Sequence, residues 1–343
     1  MEIRKVQVTG GSSYAVSLPK TWVKKLNIKK NDPLGLIIQP DGSLLITKKV
    51  NEEQEERIIE IDADSVDTPT YLFRCLIGAY IAGYTIIKIR SKDAIHPFVR
   101  TVTRKFTQVT IGQEVVEETN NSITIKDLLN PVEMPFEKSI RRMHLIVKNM
   151  HKNAIKILKN RDKTIAEDIF SRDDDVDRLH WLIARQHNMV SRDVNLARKM
   201  GITTEKVVNY FLISKIIERI GDHAVRIAKN ILNFVDEKID EKIIDAIESA
   251  SDLALKIFDK SIDSFVERDI ELANKNIDSL TKLASLCEKI NTLALRQKGA
   301  VAISIGYIAE SIRRTGEYAT DISECAINHL ITEKNLQISK AML

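Results

Sequence analysis

The chain has 343 residues, 43% hydrophobic and 29% charged, with a formal net charge of +4. That length exceeds one ordinary core, so two or three domains are expected, and apolar runs broken by charge every few residues exclude a bilayer span. The opening residues alternate instead of forming an apolar signal core, and three widely spaced cysteines (Cys75, Cys287, Cys325) without a C-x-x-C pair fit a reducing cytoplasm, not a disulfide framework or zinc knuckle.

The first fifty residues read as a small β-rich module. IRKVQV and SYAVSLP alternate apolar and polar positions, the period of half-buried strands, with TGGSS as the turn between them. Pro19 suits the first turn of a short helix, PKTWVKKLNI, where its missing N–H leaves nothing unpaired. In that helix Trp22, Val23 and Leu26 are expected inside, with Lys20, Lys24 and Lys25 outside. LGLIIQPDGSLLITKKV reads as a hairpin around a Pro-Asp-Gly turn, completing a ββαββ order. The module holds nine Lys/Arg against three Asp/Glu, a net of +6 (9 − 3), so the basic character of the chain belongs to it. Roughly a dozen apolar side chains make a marginal core, and dimerisation is expected from size alone.

Residues 56–128 change pattern. RIIEID and TIIKIRS read as strands, PTYLFRCLIGAYIAG and AIHPFVRTVTRKFTQV as helices, and QEVVEE and SITIKDL as a closing strand pair around TNN. A βαβαββ order implies a small sheet with helices on one face. No catalytic motif falls in it, and its expected role is that of a spacer or a sensor.

All seven prolines lie at or before Pro135, and only five of the twelve glycines lie beyond it. A stretch so free of breakers, rich in Ile, Leu, Ala, Lys and Glu, is expected to be nearly all helix. Six long helices are expected from Met134 onward, with breaks near Asp162, Gly201, Glu237, Asp269 and Gly299. IERIGDHAVRIAK (217–229) echoes IRRTGEYATDISE (312–324), both reading I-x-R-x-G-acid-x-A-x-x-I. The chain therefore reads as mainly α, with a head over 1–50, an α/β middle domain over 51–130, and two three-helix bundles over 131–235 and 236–343.

Two resemblances rest on these stretches. RKVQVTGGSSYAVSLPKTWVKKLNIKKNDPL with SLLITKKV resembles the SpoVT/AbrB swapped-hairpin DNA-binding domain. ERIGDHAVRIAKNI, with RDDDVDRL at 172–179, resembles the PhoU phosphate-uptake regulators, built from two three-helix repeats. The combination is similar to archaeal-type PhoU-related regulators with an AbrB-like head. It implies a cytoplasmic homodimer that contacts DNA through its head. Arg4, Lys5, Lys20, Lys24 and Lys25 are expected to neutralise phosphates. Ser12 and Ser13 stand beside them, where many members of the head family carry a Gly-Arg pair.

The resemblance to PhoU also implies metal binding through E/D-x-x-x-D pairs, of which the first repeat holds Asp173/Asp177 and Glu218/Asp222. Hard oxygen ligands one turn apart on neighbouring helices suit a divalent or trivalent cation such as Fe, Zn or Mg. By spacing alone, such pairs are common on wet helix faces. On a helical wheel Glu218 and Asp222 fall opposite the stripe Ile213, Ile216, Ile217, Ile220, Ala224, Ile227, Ile231, where Lys215 and Arg226 are ready ion-pair partners. Asp173 and Asp177 sit at the edge of their own stripe. In the second repeat Arg313 stands where Glu218 does and Glu317 where Asp222 does, so one metal locus per chain is expected. His180 and His223 flank apolar stripes and read as satisfied, partly buried histidines. Asp177-Arg-Leu-His180 is a single acid-x-x-His element, where a carboxylate-bridged di-iron site needs two.

Two functions are compared. One is a DNA-binding transcriptional regulator of phosphate uptake and intracellular phosphate homeostasis with a metal-binding sensory body. The other is an accessory protein that docks on and represses a phosphate ABC transporter, its head serving only to dimerise. Without a nucleophile, base or cofactor motif, an enzyme ranks last. A phosphate-transporter component or sensor is the further expected partner, with no membrane insertion.

Overall fold

The computed structural model describes residues 2–38, 42–48 and 56–332, in two compact units, residues 1–55 and 56–343. The first unit follows the expected order with shorter elements. Strands β1 (Gln7–Thr9) and β2 (Ser13–Ala15) form one antiparallel pair, and β3 (Gly35–Ile38) and β4 (Leu44–Thr47) form another. Helix α1 (Lys20–Lys25) starts after Pro19. It stops at Asn27, whose left-handed φ of 47° an asparagine tolerates better than most residues. Lys48 Nζ then donates to the Leu26 and Asn27 carbonyls at 2.8 and 3.1 Å, satisfying groups the helix end leaves bare. Pro40 and Asp41 of the expected turn lie outside the described residues.

No described residue of this unit is buried. Trp22 and Val23 are half-buried, and Leu26, expected inside, is exposed. Two-stranded ribbons do not cover each other within a single copy of so short a module.

The second unit begins with a four-stranded sheet, in the order β5-β6-β8-β7: β5 (Ile58–Asp62), β6 (Ile86–Arg90), β7 (Gln113–Glu118) and β8 (Ser122–Asp127). The parallel β5–β6 pair is joined by helix α2 (Pro69–Ile81), the crossover that parallel strands require. Thr68 caps α2 through Tyr71 N at 3.2 Å, with Pro69 at the first helical position. With α3 (Pro97–Val109), α2 covers Ile87, Ile89, Ile123 and Ile125, which are fully buried with Leu72, Leu76, Tyr80 and Phe106.

Six long helices follow, plus one short helix that the sequence pattern did not separate. The first repeat is α4 (Phe136–Asn160), α5 (Thr164–Val190) and α7 (Thr204–Leu232), with the short α6 (Val194–Lys199) between α5 and α7. The second is α8 (Glu241–Glu267), α9 (Ile270–Ala294) and α10 (Gly299–Thr332). The repeats end their first helices alike, on a left-handed arginine: Arg161 (φ 53°) and Arg268 (φ 63°). Asp240 and Asp269 cap α8 and α9.

All seven apolar residues of the α7 stripe are buried. Each fully buried isoleucine removes apolar surface worth about 2 kcal/mol from water. Helix α7 packs on α4, α5 and α10, so one continuous core runs through both bundles. No helix among the described residues is long and apolar enough to cross a membrane.

Candidate functional site

The four expected metal ligands stand on two packed helices of the first repeat. Asp173 and Asp177 lie one turn apart on α5, and Glu218 and Asp222 one turn apart on α7. Gly221 gives α7 its close approach to α4 beside these acids. A Cβ there would stand 3.3 Å from Val147 Cγ2 and 3.6 Å from Asp173 Oδ1, so the missing side chain lets α7 lie against α4 at the level of Asp173.

The expectation that Glu218 and Asp222 lie on a solvated face holds for Asp222, which is exposed, and is corrected for Glu218. Only 15% of the Glu218 side chain is exposed. Helix α7 is flanked by α4, α5 and α10, which leaves Glu218 partly covered while Asp222 stays open to solvent.

The seam is strained by its own charge. Burial, then Asp222, Asp174 and Glu218, push the Asp173 carboxyl up to about 6. Burial, then Asp173, Glu218 and Asp222, push Asp177 up to about 7. Asp222 is raised as well, by burial and then by Glu218. Asp173, Asp177 and Asp222 are thus each raised by neighbouring acids, as like charges along one partly buried seam are. Lys215 Nζ reaches Glu218 Oε1 at 2.8 Å, the pairing expected from the wheel, while Asp222 forms no ion pair with Arg226. Glu218 Oε2 is buried without a hydrogen-bond partner. An orphaned buried carboxylate oxygen is costly, and a hard cation satisfies one directly. These features fit a cation. As they stand the acids form a seam, not a closed shell: among the described residues, no three His, Cys, Asp or Glu side chains are gathered to hold a metal.

Two neighbours escaped the sequence reading. Asp174 adds to the repulsion on both α5 acids, and Lys229, about two turns beyond Asp222, relieves Asp173 and Asp222. The run of three aspartates at 173–175 was the available signal for the first. Lys229 carried none, since it lies outside the i+4 spacing.

The histidines divide. His180 Nδ1 meets Ser214 Oγ at 3.0 Å, a satisfied, buried imidazole as expected. His223 is buried, but its Nδ1 has no partner, and its ring tilts over Tyr318. Burial holds both, together with the fully buried His151, down at about 4.

In the second repeat Arg313 bonds Glu310 and Glu317, and Arg314 bonds the same two acids at 3.0 Å each. Asn274 and Asp278 stand on α9 where Asp173 and Asp177 stand on α5. The position of the acid seam is thus occupied by a neutralised ion-pair cluster.

In the head, Arg4, Lys5, Ser12, Ser13, Lys20, Lys24 and Lys25 are all exposed. Arg4 alone among these basic residues has an acidic partner, Glu2 at 3.2 Å. Large apolar side chains are bare in the same unit: Ile3, Val8, Tyr14, Leu36 and Ile38, the last 81% exposed.

Comparison with known proteins follows these divisions. The PhoU domain model matches residues 140–231 and 247–326, together half of the chain and one segment per bundle. The model described as "Antidote-toxin recognition MazE, bacterial antitoxin" matches residues 7–54. Among curated proteins, the chain is 28% identical over 222 residues to the "Phosphate-specific transport system accessory protein PhoU homolog" of Clostridium acetobutylicum, covering 60% of this chain and 97% of that one. It is 23% identical over 208 residues to "Phosphate-specific transport system accessory protein PhoU homolog 1" of Thermotoga maritima, covering 59% and 88%. Solved structures share the fold of the helical region. The PhoU crystal structures from Pseudomonas aeruginosa (TM-score 0.51, 16% identity, 57% of this chain and 96% of that one) and Streptococcus pneumoniae (0.50, 16%, 59% and 96%) match it.

Proposed function

The chain belongs to the PhoU domain family, and we propose that it regulates phosphate uptake as a DNA-binding dimer whose helical body responds to a metal cation. The regulatory half of this reading is supported by relatives named as accessory proteins of phosphate-specific transport. The DNA half is carried by one observation. A basic unit that matches a MazE-type model exposes every residue expected to meet phosphate and, among its described residues, buries no apolar side chain. A second copy would cover Leu36, Ile38 and Tyr14. Two copies would double the cationic face and the phosphate contacts it makes.

In this reading the cation sits between α5 and α7, held by Asp173, Asp177, Glu218 and Asp222, cancelling their mutual repulsion. Lys215 would give up Glu218 Oε1 to it. The second repeat, with Arg313 and Arg314 in place, takes none. The middle domain joins the head to the bundles along the chain.

A second reading is favoured by the relatives' names: a body that docks on a phosphate transporter, with a head that only dimerises. Footprinting of the full-length protein on DNA upstream of phosphate-transport genes separates the two. Protection of a discrete segment is expected. No protection at any site, with the protein dimeric and copurifying with a transporter subunit, selects the second reading.

A further inference from the structure

Helix α5 belongs to two structures at once. Its first half carries Asp173 and Asp177 into the seam with α7. Its second half stays in the bundle core through Ile183 and Val190 and on another face closes the end of α2. The final carbonyls of any helix lack partners within it and carry the negative end of its dipole. Here α5 and the turn after it add donors to three of them, beside Gly83 N on Tyr80 O and Arg57 Nη1 on Ala82 O. Arg185 Nη1 donates to Tyr80 O at 2.6 Å, Asn188 Nδ2 to Ile81 O at 3.0 Å, and Arg192 Nη1 to Ala82 O at 2.9 Å.

The clamp reaches the sheet as well. Arg185 Nη2 also bonds Asp127 Oδ2 at the end of β8, with the guanidinium over the Tyr80 ring; both charged side chains are almost wholly buried. A buried pair of this kind resists separation, because either partner alone is left as an uncompensated charge. Trp181 packs edge-on against Phe73 of α2, centroids 6.4 Å apart. From Asp173 to Arg185 is twelve residues, about 18 Å of unbroken helix.

We propose that α5 transmits the state of its acid seam to the α/β domain, making that domain a receiver, not a spacer. The acids form a seam, not a shell, so gathering them requires α5 and α7 to shift relative to one another. Movement of α5 carries the clamp, and with it α2 and β8. The proposal rests on the metal reading above for its trigger, while the clamp itself is independent of it.

The test uses the full chain with Trp22→Phe, which leaves Trp181 as the sole tryptophan. Mg²⁺, Zn²⁺ and Fe³⁺ are titrated singly, with bound metal measured by calorimetry. The metal that binds is expected to shift Trp181 emission and slow amide exchange over residues 79–84. By reciprocity, Asn188→Ala/Arg192→Ala should lower its affinity about fivefold or more. Metal binding with emission, exchange and affinity all unchanged overturns the proposal. If none of the three binds, the metal reading fails on its own. Asp173→Asn/Asp177→Asn then serves as trigger by removing the repulsion: altered emission and exchange sustain the coupling, and unaltered values overturn it.

Discussion

Arg313 occupies in the second repeat the turn that Glu218 occupies in the first, and Glu310 and Glu317 hold its guanidinium on both sides. Two reversals of sign, Arg313 for Glu218 and Glu310 for Lys215, with Asn274 in place of Asp173, thus replace a repelling seam with an ion-pair cluster. Glu310 is held below the usual carboxylate range, burial opposing and the bonds from Arg313 and Arg314 prevailing. On the matching face of the first repeat the acids are pushed upward.

One metal locus per chain follows. Glu218→Gln/Asp222→Asn is expected to abolish metal binding, and Glu317→Gln to leave it unchanged. Metal analysis of the purified variants checks this; equal loss in both refutes the asymmetry.

Metal affinity should depend on pH. With Asp173 at about 6 and Asp177 at about 7, protons compete for the ligand oxygens in the physiological range. Affinity is expected to fall by roughly tenfold or more between pH 7.5 and 6. Calorimetric titration at the two values reads it, and a flat profile would remove these two acids from the site.

Stability of the metal-free protein is governed by two opposed sets of groups. Asp173 and Asp177 have folded values raised above 3.8, so their contribution is fully present below 3.8 and lost as pH rises through about 6 to 7. His151, His180 and His223 are depressed from 6.5 to about 4, so theirs is present above 6.5 and lost as pH falls toward 4. Asp173→Asn/Asp177→Asn removes the first set. That variant should lose stability between pH 6.5 and 4 more steeply than the parent, by on the order of 1–2 kcal/mol once solvent screening of these half-buried groups is allowed for. Urea midpoints across the window decide it, and parallel curves would contradict it.

The periodicity of the chain carried the architecture. The ββαββ and βαβαββ orders and the six long helices all appear, because strand alternation, the absence of proline after Pro135 and the caps at Asp240 and Asp269 are local signals. The α7 stripe was readable to the residue. The placement of Glu218 was not, because a wheel shows one helix while burial at this position is set by a second, α5. The contact between α5 and α2 left no pattern either. Arg185 looks like any charged residue in a helix, and its partners Tyr80 and Asp127 lie 105 and 58 positions away. In the head, the expected inward face of α1 is half-open, with Trp22 and Val23 half-buried and Leu26 exposed.

Dimerisation through the head should therefore be sensitive to polarity at sites that a monomer would leave wet. Leu36→Asp/Ile38→Asp is expected to convert the dimer to monomer at micromolar concentration by sedimentation. A variant that stays dimeric would place the interface elsewhere.

The central claim, that the head holds DNA, is tested most directly by the salt dependence of duplex binding by the full-length protein. The logarithm of affinity should fall linearly with the logarithm of salt concentration. Replacing Lys20, Lys24 and Lys25 together with Ala should weaken binding and flatten that slope by about one unit per lost phosphate contact. A triple variant with the affinity and slope of the parent would contradict the account.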